Sequence, residues 1–348
     1  MTVQTLEVGR SRMKLNLSRH RGLIAANLVF ALLLAVVAAI SPMKLGYYDI
    51  ASLITSGAPL ALAAIGQTFI VIVGGFDLSA GAAISLVNAV VATIPRETVG
   101  GQIGAVAAGL AIGAAIGAFN GFFVAFLRLQ SIVITLSTMF LVRGVTLVIM
   151  PDPGGAVAET LTKLFTGAAI PGVLPAAGVV IAGGLVLWLL VRRTKFGTAM
   201  FAVGSDAEAS HAVGISIEWT RFGAFVLGGL FYGMAGVFIG AQTGSADPLV
   251  GDPLLLQSFT AVVLGGTLLG GGRGSAVGSV IGAYTLMLMI NLLLALDVSA
   301  YFSTIAEGVV LILAVTAASI GSDSVAVQSF RRAADWLRAR SAGFWQDR

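Results

Sequence analysis

Ten stretches of roughly 20 predominantly apolar residues run through the chain, at 22–42, 49–73, 77–95, 102–127, 130–150, 172–192, 221–242, 253–270, 274–297 and 300–320. A helix needs a run of about that length to cross the hydrocarbon of a bilayer. Hydrophobic residues make up 57% of the 348 and charged residues only 10%, whereas a soluble domain carries about 25% charged residues. The expected fold is therefore an all-α membrane protein with about ten transmembrane helices. The eighth run stands apart. Its glycines and Pro253 make it a candidate for a broken or re-entrant span, which survives in a membrane only when buried in protein or lining water.

The basic residues decide the orientation. Ten crossings put both termini on one side of the membrane. With that side cytoplasmic, the inner segments carry sixteen of the twenty lysines and arginines. The outer segments carry only Lys44, Arg96 and Lys163, and Arg143 lies inside a span. The positive-inside rule selects this arrangement. The first run follows Arg10, Arg12, Lys14, Arg19 and Arg21 and exceeds the roughly 7–15 residues of a signal-peptide core, so it reads as a retained span. The chain then divides into a basic cytoplasmic segment at 1–21, a transmembrane domain at 22–320 and a basic cytoplasmic tail at 321–348. Phe330, Ala333, Ala334 and Leu337, ringed by arginines, suit a surface helix from about Val325 to Arg340; a disordered basic tail is the competing reading. In the outer loop 151–171, Thr160 to Phe165 suit a short surface helix. That loop reads equally as a contact for an external partner or as a connector.

Residues able to do chemistry are scarce. Cysteine is absent, which removes disulfides and thiolate metal sites. A P-loop needs a lysine directly after a glycine; the four lysines are Lys14, Lys44, Lys163 and Lys195, and none follows one. His20 and His211 are the only histidines, both in cytoplasmic segments. No catalytic set and no metal site emerges, so the chain reads as no enzyme.

Polar residues inside spans mark either pathways or interhelical hydrogen bonds. Gln67, Asn88, Asn120 and Asn291 are the amides that suit a path for a hydroxylated solute. Arg143 and Glu307 each sit about seven residues from the outer end of their span. An unpaired arginine at the centre of a span costs on the order of 3 kcal/mol, so the two are expected to pair, tying the fifth span to the tenth. Alternatively, Arg143 bonds helix-end carbonyls and Glu307 faces water.

The inner loop at about 193–220 contains Ala202-Val203-Gly204-Ser205-Asp206-Ala207-Glu208-Ala209-Ser210-His211-Ala212-Val213-Gly214-Ile215. Ser205 or Asp206 can cap a helix running to about Val213, and Gly214 fits its end. A short polar helix on the cytoplasmic face is either a solvated connector or a rigid element on which a separate motor docks.

Between the second and third spans lies Gly74-Gly75-Phe76-Asp77-Leu78-Ser79-Ala80-Gly81. Val71-Ile72-Val73-Gly74-Gly75 has a counterpart in Val262-Val263-Leu264-Gly265-Gly266, either an internal repeat or a chance likeness of glycine-rich helices. The Gly-Gly-x-Asp stretch, the inner-loop run, Asn120-Gly121, Thr135-Leu136-Ser137-Thr138-Met139 with Arg143-Gly144, Ser245-Ala246-Asp247-Pro248 and Ala261 to Thr267 ending in Gly271-Gly272-Arg273 together resemble the ribose-type permeases. These are the membrane subunits of bacterial ATP-driven sugar importers, and the likeness covers roughly residues 50 to 315.

The resemblance implies an inner-membrane permease that forms the path for a monosaccharide and belongs to an ABC transporter. It also implies the partners: an ATPase with two nucleotide-binding halves that holds ATP and Mg, an extracytoplasmic sugar-binding protein and a second permease, with no nucleic acid. It makes Ser205, Asp206, Glu208, His211 and Gly214 the ATPase-coupling loop, and Gly74, Gly75, Asp77, Gly81, Gly265, Gly266, Gly271 and Gly272 family motif positions. Leu255-Leu256-Gln257 stands where many members have Glu-Leu-Asp, a departure that leaves homodimer and heterodimer both open. A nucleoside or other polar solute is the alternative cargo. A secondary transporter or channel is the rival class, with Glu307 as its coupling carboxylate.

Overall fold

The computed structural model describes residues 21–40, 46–94, 98–296, 298 and 300–320. The basic N-terminal segment and the C-terminal tail, with its expected helix, lie outside the described residues. The helices in order are α1 (Arg21–Ile40), α2 (Tyr47–Ile72), α3 (Ala80–Thr93), α4 (Val99–Ala125), α5 (Ser131–Ile149) and α6 (Glu159–Thr166). A small hairpin, β1 (Ala168–Ile170) and β2 (Leu174–Pro175), leads into α7 (Ala176–Arg192), α8 (Lys195–Ser205) and α9 (Ala207–Ala212). Then follow α10 (Ile217–Thr243), α11 (Asp252–Leu264), α12 (Ala276–Ala295) and α13 (Ala300–Ile320).

Each apolar run has its helix, and the described residues are all-α apart from the hairpin. Among the described residues, five helices are long and apolar enough by themselves to cross a bilayer: α2, α4, α5, α10 and α12. A sixth is the pair α7 and α8 if taken as one span, bent by 79°. The bend falls where Arg192, Arg193 and Lys195 end the apolar run, and Thr194 caps α8 by accepting from the Gly197 amide at 3.1 Å.

Helices α2 and α10 form the core. From Gly57 onward α2 is buried throughout, and α10 packs along α2, α3 and α4. The contact of α4 with α10 is backbone on backbone. Gly109, Gly113 and Gly117 recur every fourth residue and so lie along one face of α4. A Cβ on Gly113 would overlap the carbonyl oxygen of Gly229, one on Gly229 that of Gly113, and one on Gly117 that of Phe225. Small residues at this spacing let membrane helices approach until their main chains touch.

Two turns repeat each other. After α2, Gly74 has φ +77°, its amide donates to the Val71 carbonyl (3.0 Å), and the Gly75 amide reaches back to Ile70 (2.9 Å). After α11, Gly266 has φ +83°, its amide donates to Val263 (2.9 Å), and Thr267 reaches Val262 (3.1 Å). Both are the left-handed glycine closure that satisfies the last helical carbonyls. The two turns share this geometry one residue out of register with the Val-x-x-Gly-Gly likeness, since the left-handed glycine is the first of the pair in one stretch and the second in the other.

The stretch before α11 is not helical. Gly244, at φ +70°, ends α10, and the chain descends without regular structure to Gly251 before α11 begins. Main-chain bonds in both directions between Gly154 and Ala246 (2.9 and 2.8 Å) hold its upper part. Lower down, α3 supplies the bonds that a helix would have made for itself. The Asn88 carbonyl accepts from the Asp247 amide at 3.0 Å, and the Ser85 hydroxyl accepts from the Gly251 amide at 2.9 Å. With only 13 residues, α11 is about 20 Å long, roughly two thirds of the hydrocarbon thickness.

The glycine contact yields a sharp test. Gly113→Val should lower stability by about 3 kcal/mol, the upper range for overpacking, whereas Gly104→Ala, facing open space on the same helix, should be neutral. Thermal unfolding of the two variants in detergent micelles makes the comparison.

Candidate functional site

At one end of the bundle, three chain segments meet closely. The Gly272 amide donates to the Ile72 carbonyl at the end of α2 (2.9 Å). Gly204, near the end of α8, lies so close to both that a Cβ there would overlap the Ile72 oxygen. A Cβ on Gly271 would come within 2.9 Å of the Gly204 oxygen and 3.0 Å of the Gly74 nitrogen. The ends of α2 and α8 and the turn between α11 and α12 thus form one tight joint, in which the Ser205 hydroxyl is packed against Gly272.

Helix α9 follows the joint directly. Asp206 is its N-cap, its carboxylate accepting from the Ala209 amide at 2.9 Å. Ser205 bonds back to Phe201 inside α8 (2.8 Å), so the cap falls to Asp206 alone. Gly214 leaves the helix at φ +83° with open space around it. Ser210 is buried, while Ser205, Asp206, Glu208, His211 and Gly214 are exposed. Glu208 and His211 face a cleft of about 550 Å³, whose other walls include Gly74, Gly75, Arg128 and Ser131. Arg128 and Glu218 bridge at 3.1 Å beside it.

The Gly-Gly-x-Asp stretch is an internal fastening. Asp77 is buried and accepts from the Ser79 amide (2.8 Å) and hydroxyl (2.6 Å). Asn120 of α4 donates to the same hydroxyl at 2.8 Å. From α5, Thr135 accepts from the Leu78 amide (3.0 Å) and Ser131 from the Phe76 amide (3.2 Å). The aspartate turn thereby ties α2 and α3 to two further helices. Gly81 lies one turn on, and a Cβ there would overlap the Gly251 carbonyl; Gly265 similarly abuts Gly278. Ser79 and Thr135 stood in the quoted motifs without an assigned role, and Ser131 was not named. A serine two residues after an aspartate is the signal that would have found the first.

The buried amides are helix ties too. Gln67 of α2 accepts from the Tyr232 hydroxyl of α10, and Asn88 holds the descending segment. Gln67, Asn88 and Asn120 are all fully buried within the bundle, and Asn291 is half-buried on α12. Arg143 has a carboxylate that was not expected: Asp252, in the first turn of α11, at 3.2 Å. The sequence reading placed Asp252 in an outer loop, whereas the non-helical descent carries it down to the arginine. The side chain of Glu307 lies outside the described residues, and with it the expected pair; the ion pair that the structure shows for Arg143 runs from α5 to α11. Among the described residues, no three His, Cys, Asp or Glu side chains gather as a metal site would require.

An all-helical membrane domain with a capped, exposed short helix joined by close contacts to its longer helices has the form of a transporter's membrane subunit. Residues 49–315 match the family described as branched-chain amino acid transport system / permease component. The ribose import permease protein RbsC of Escherichia coli strain K12 is 36% identical over 321 residues, 90% of this chain and 98% of that protein. The protein of the same name in Bacillus subtilis strain 168 is 34% identical over 287 residues, 82% of this chain and 88% of the relative. The D-allose transport system permease protein AlsC of Escherichia coli is 29% identical, with the same coverage of both chains. No solved structure matches. The chain belongs to the ribose-type permeases of bacterial ABC importers: it is a multi-pass membrane subunit of the transport machinery and not an enzyme.

Asp206→Ala removes the only side-chain cap of α9. The expected loss is about 1 kcal/mol of local stability, read as roughly fivefold faster amide exchange at 207–212. Asp206→Asn, which also caps well, should stay near the original rate.

Proposed function

We propose that this permease forms the translocation path for a monosaccharide released to it by an extracytoplasmic binding protein. A separate ATPase with two nucleotide-binding halves, which carries ATP and Mg, drives it. The chain crosses the inner membrane ten times with both termini in the cytoplasm, the orientation that the basic residues favour. It pairs with a second permease, identical or homologous. The relatives named for ribose and D-allose import make a pentose or hexose the first cargo to test.

The observation that carries the reading is the joint at Ile72, Gly204 and Gly272. A motor docked on Glu208 and His211 of α9 pushes on a helix whose neighbour α8 touches the end of the core span α2 and the turn after α11. Displacement passes there through close backbone contacts and the Ser205 hydroxyl packed on Gly272, which leave little slack to absorb it. A solvated connector would need neither the cap, nor the exposed acidic and imidazole side chains, nor the seamless contact behind them.

The test uses proteoliposomes holding the permease, its ATPase and binding protein, with ribose and D-allose as labelled cargos. Glu208→Lys should lower uptake by about tenfold, the cost of reversing one charge in a docking contact, while the permease still inserts and ATP is still hydrolysed. Gly214→Val should do the same through backbone: its φ of +83° costs a β-branched residue about 1–2 kcal/mol. Normal uptake by both variants would remove α9 from the coupling role. Uptake of neither sugar by the unaltered transporter would remove the cargo assignment.

A further inference from the structure

The descent of 244–251 leaves an ion pair at an unusual depth. Helix α10 has 27 residues and is about 40 Å long. Its Gly236 abuts Ile84 and Val87 of α3, and Gly81, one turn before Ile84, abuts Gly251. The start of α11 therefore lies level with the middle of α10, near the middle of the bilayer. Arg143 agrees from the other side, since it lies about six residues, roughly 9 Å, below the outer end of α5.

At that level Arg143 and Asp252 bridge at 3.2 Å, yet their side chains are 41% and 40% exposed. Their faces continue as an open surface. Phe140 and Leu147 flank Arg143 at helical spacing, Leu256 lies one turn beyond Asp252, and all three are exposed. The opposite face of α5, with Thr135, Thr138, Val142 and Thr146, is the one buried in the bundle. Charged groups at mid-membrane face a bundle interior or a water-filled cavity, not lipid. Non-helical backbone at that depth follows the same rule. Two independent features, the ion pair and the broken span, thus mark one open face of α5 and α11 as wet.

We propose that Arg143 and Asp252 line the aqueous path and offer the passing cargo a fixed pair of hydrogen-bond donor and acceptor. The guanidinium donates to a sugar hydroxyl oxygen, and the carboxylate accepts from a hydroxyl hydrogen. Ion pairing holds the two in register and leaves their remaining donor and acceptor sites free. The cargo part of this assignment rests on the proposed monosaccharide transport; the water-filled face does not.

The chain's lack of cysteine allows a direct experiment in the assembled transporter in proteoliposomes. Leu147→Cys, Phe140→Cys and Leu256→Cys are treated one at a time with a charged, water-soluble methanethiosulfonate. Val186→Cys, on an exposed apolar face of α7, is the comparison. The expected result is modification of the first three at least tenfold faster than of Val186→Cys, because the thiolate that reacts forms in water. Modification of those three only by a lipid-soluble maleimide would overturn the proposal, and so would their oxidative cross-linking to the second permease without charged-reagent labelling. For the cargo contact, Arg143→Gln and Asp252→Asn should each lower maximal uptake at saturating loaded binding protein by about tenfold, the equivalent of one charge-assisted hydrogen bond. The inserted amount and the reactivity of Leu147→Cys should be unchanged. The swap of Arg143→Asp with Asp252→Arg should restore thermal stability without restoring uptake; full recovery of uptake would make the pair structural. If the unaltered transporter carries neither sugar, uptake is silent while labelling still reports whether the face is wet.

Discussion

A bilayer offers no hydrogen-bond partner to a peptide group, so each place where a membrane helix stops must be satisfied by protein. This requirement organises the molecule. Where α2 and α11 end, a glycine in the left-handed region turns the last carbonyls onto the chain's own amides. Where the eighth span breaks, Asn88 and Ser85 of α3 accept from two of the freed amides. Where the Gly-Gly-x-Asp turn crosses between helices, Ser131 and Thr135 of α5 do so. The polar side chains in the spans are thus placed by the irregular backbone beside them.

The same bookkeeping explains the glycines. Backbone touching backbone at Gly113 and Gly229, or at Gly204, Ile72 and Gly272, leaves no gap for a rotamer change to fill. Such contacts are stiff in compression, and interiors packed this closely transmit strain instead of absorbing it. A membrane subunit moved by an external motor needs that property where the force enters. The exposed helix α9 and the core helix α2 are separated only by the joint that has it.

Much of this was legible in the chain. Apolar run length marked every long helix to within a few residues, because hydrocarbon thickness acts on each span separately. Asp206 and Gly214 declared the ends of α9 through local chemistry. Pro253 marked the first turn of α11, since a proline fits there and not in a helix interior. What could not be read was which distant groups meet. Arg143 sits 109 residues before Asp252, and their meeting depends on how far the intervening chain sinks into the bilayer. That depth is set by bonds to Ser85 and Asn88 on another helix, so no local pattern carries it.

The amides teach the complementary lesson. Gln67, Asn88 and Asn120 suit a polar path by residue type, yet each is fully buried and bonded to a neighbouring helix, turn or descending segment. An amide has both a donor and an acceptor, which makes it a good fastener between helices; the same property makes it look like a sugar ligand in a sequence. An ion pair differs because its charges resist dehydration even when matched. On the proposed reading, a half-exposed arginine and aspartate at mid-membrane sit beside water, and the polar pair that remains open after the bundle has closed marks the path.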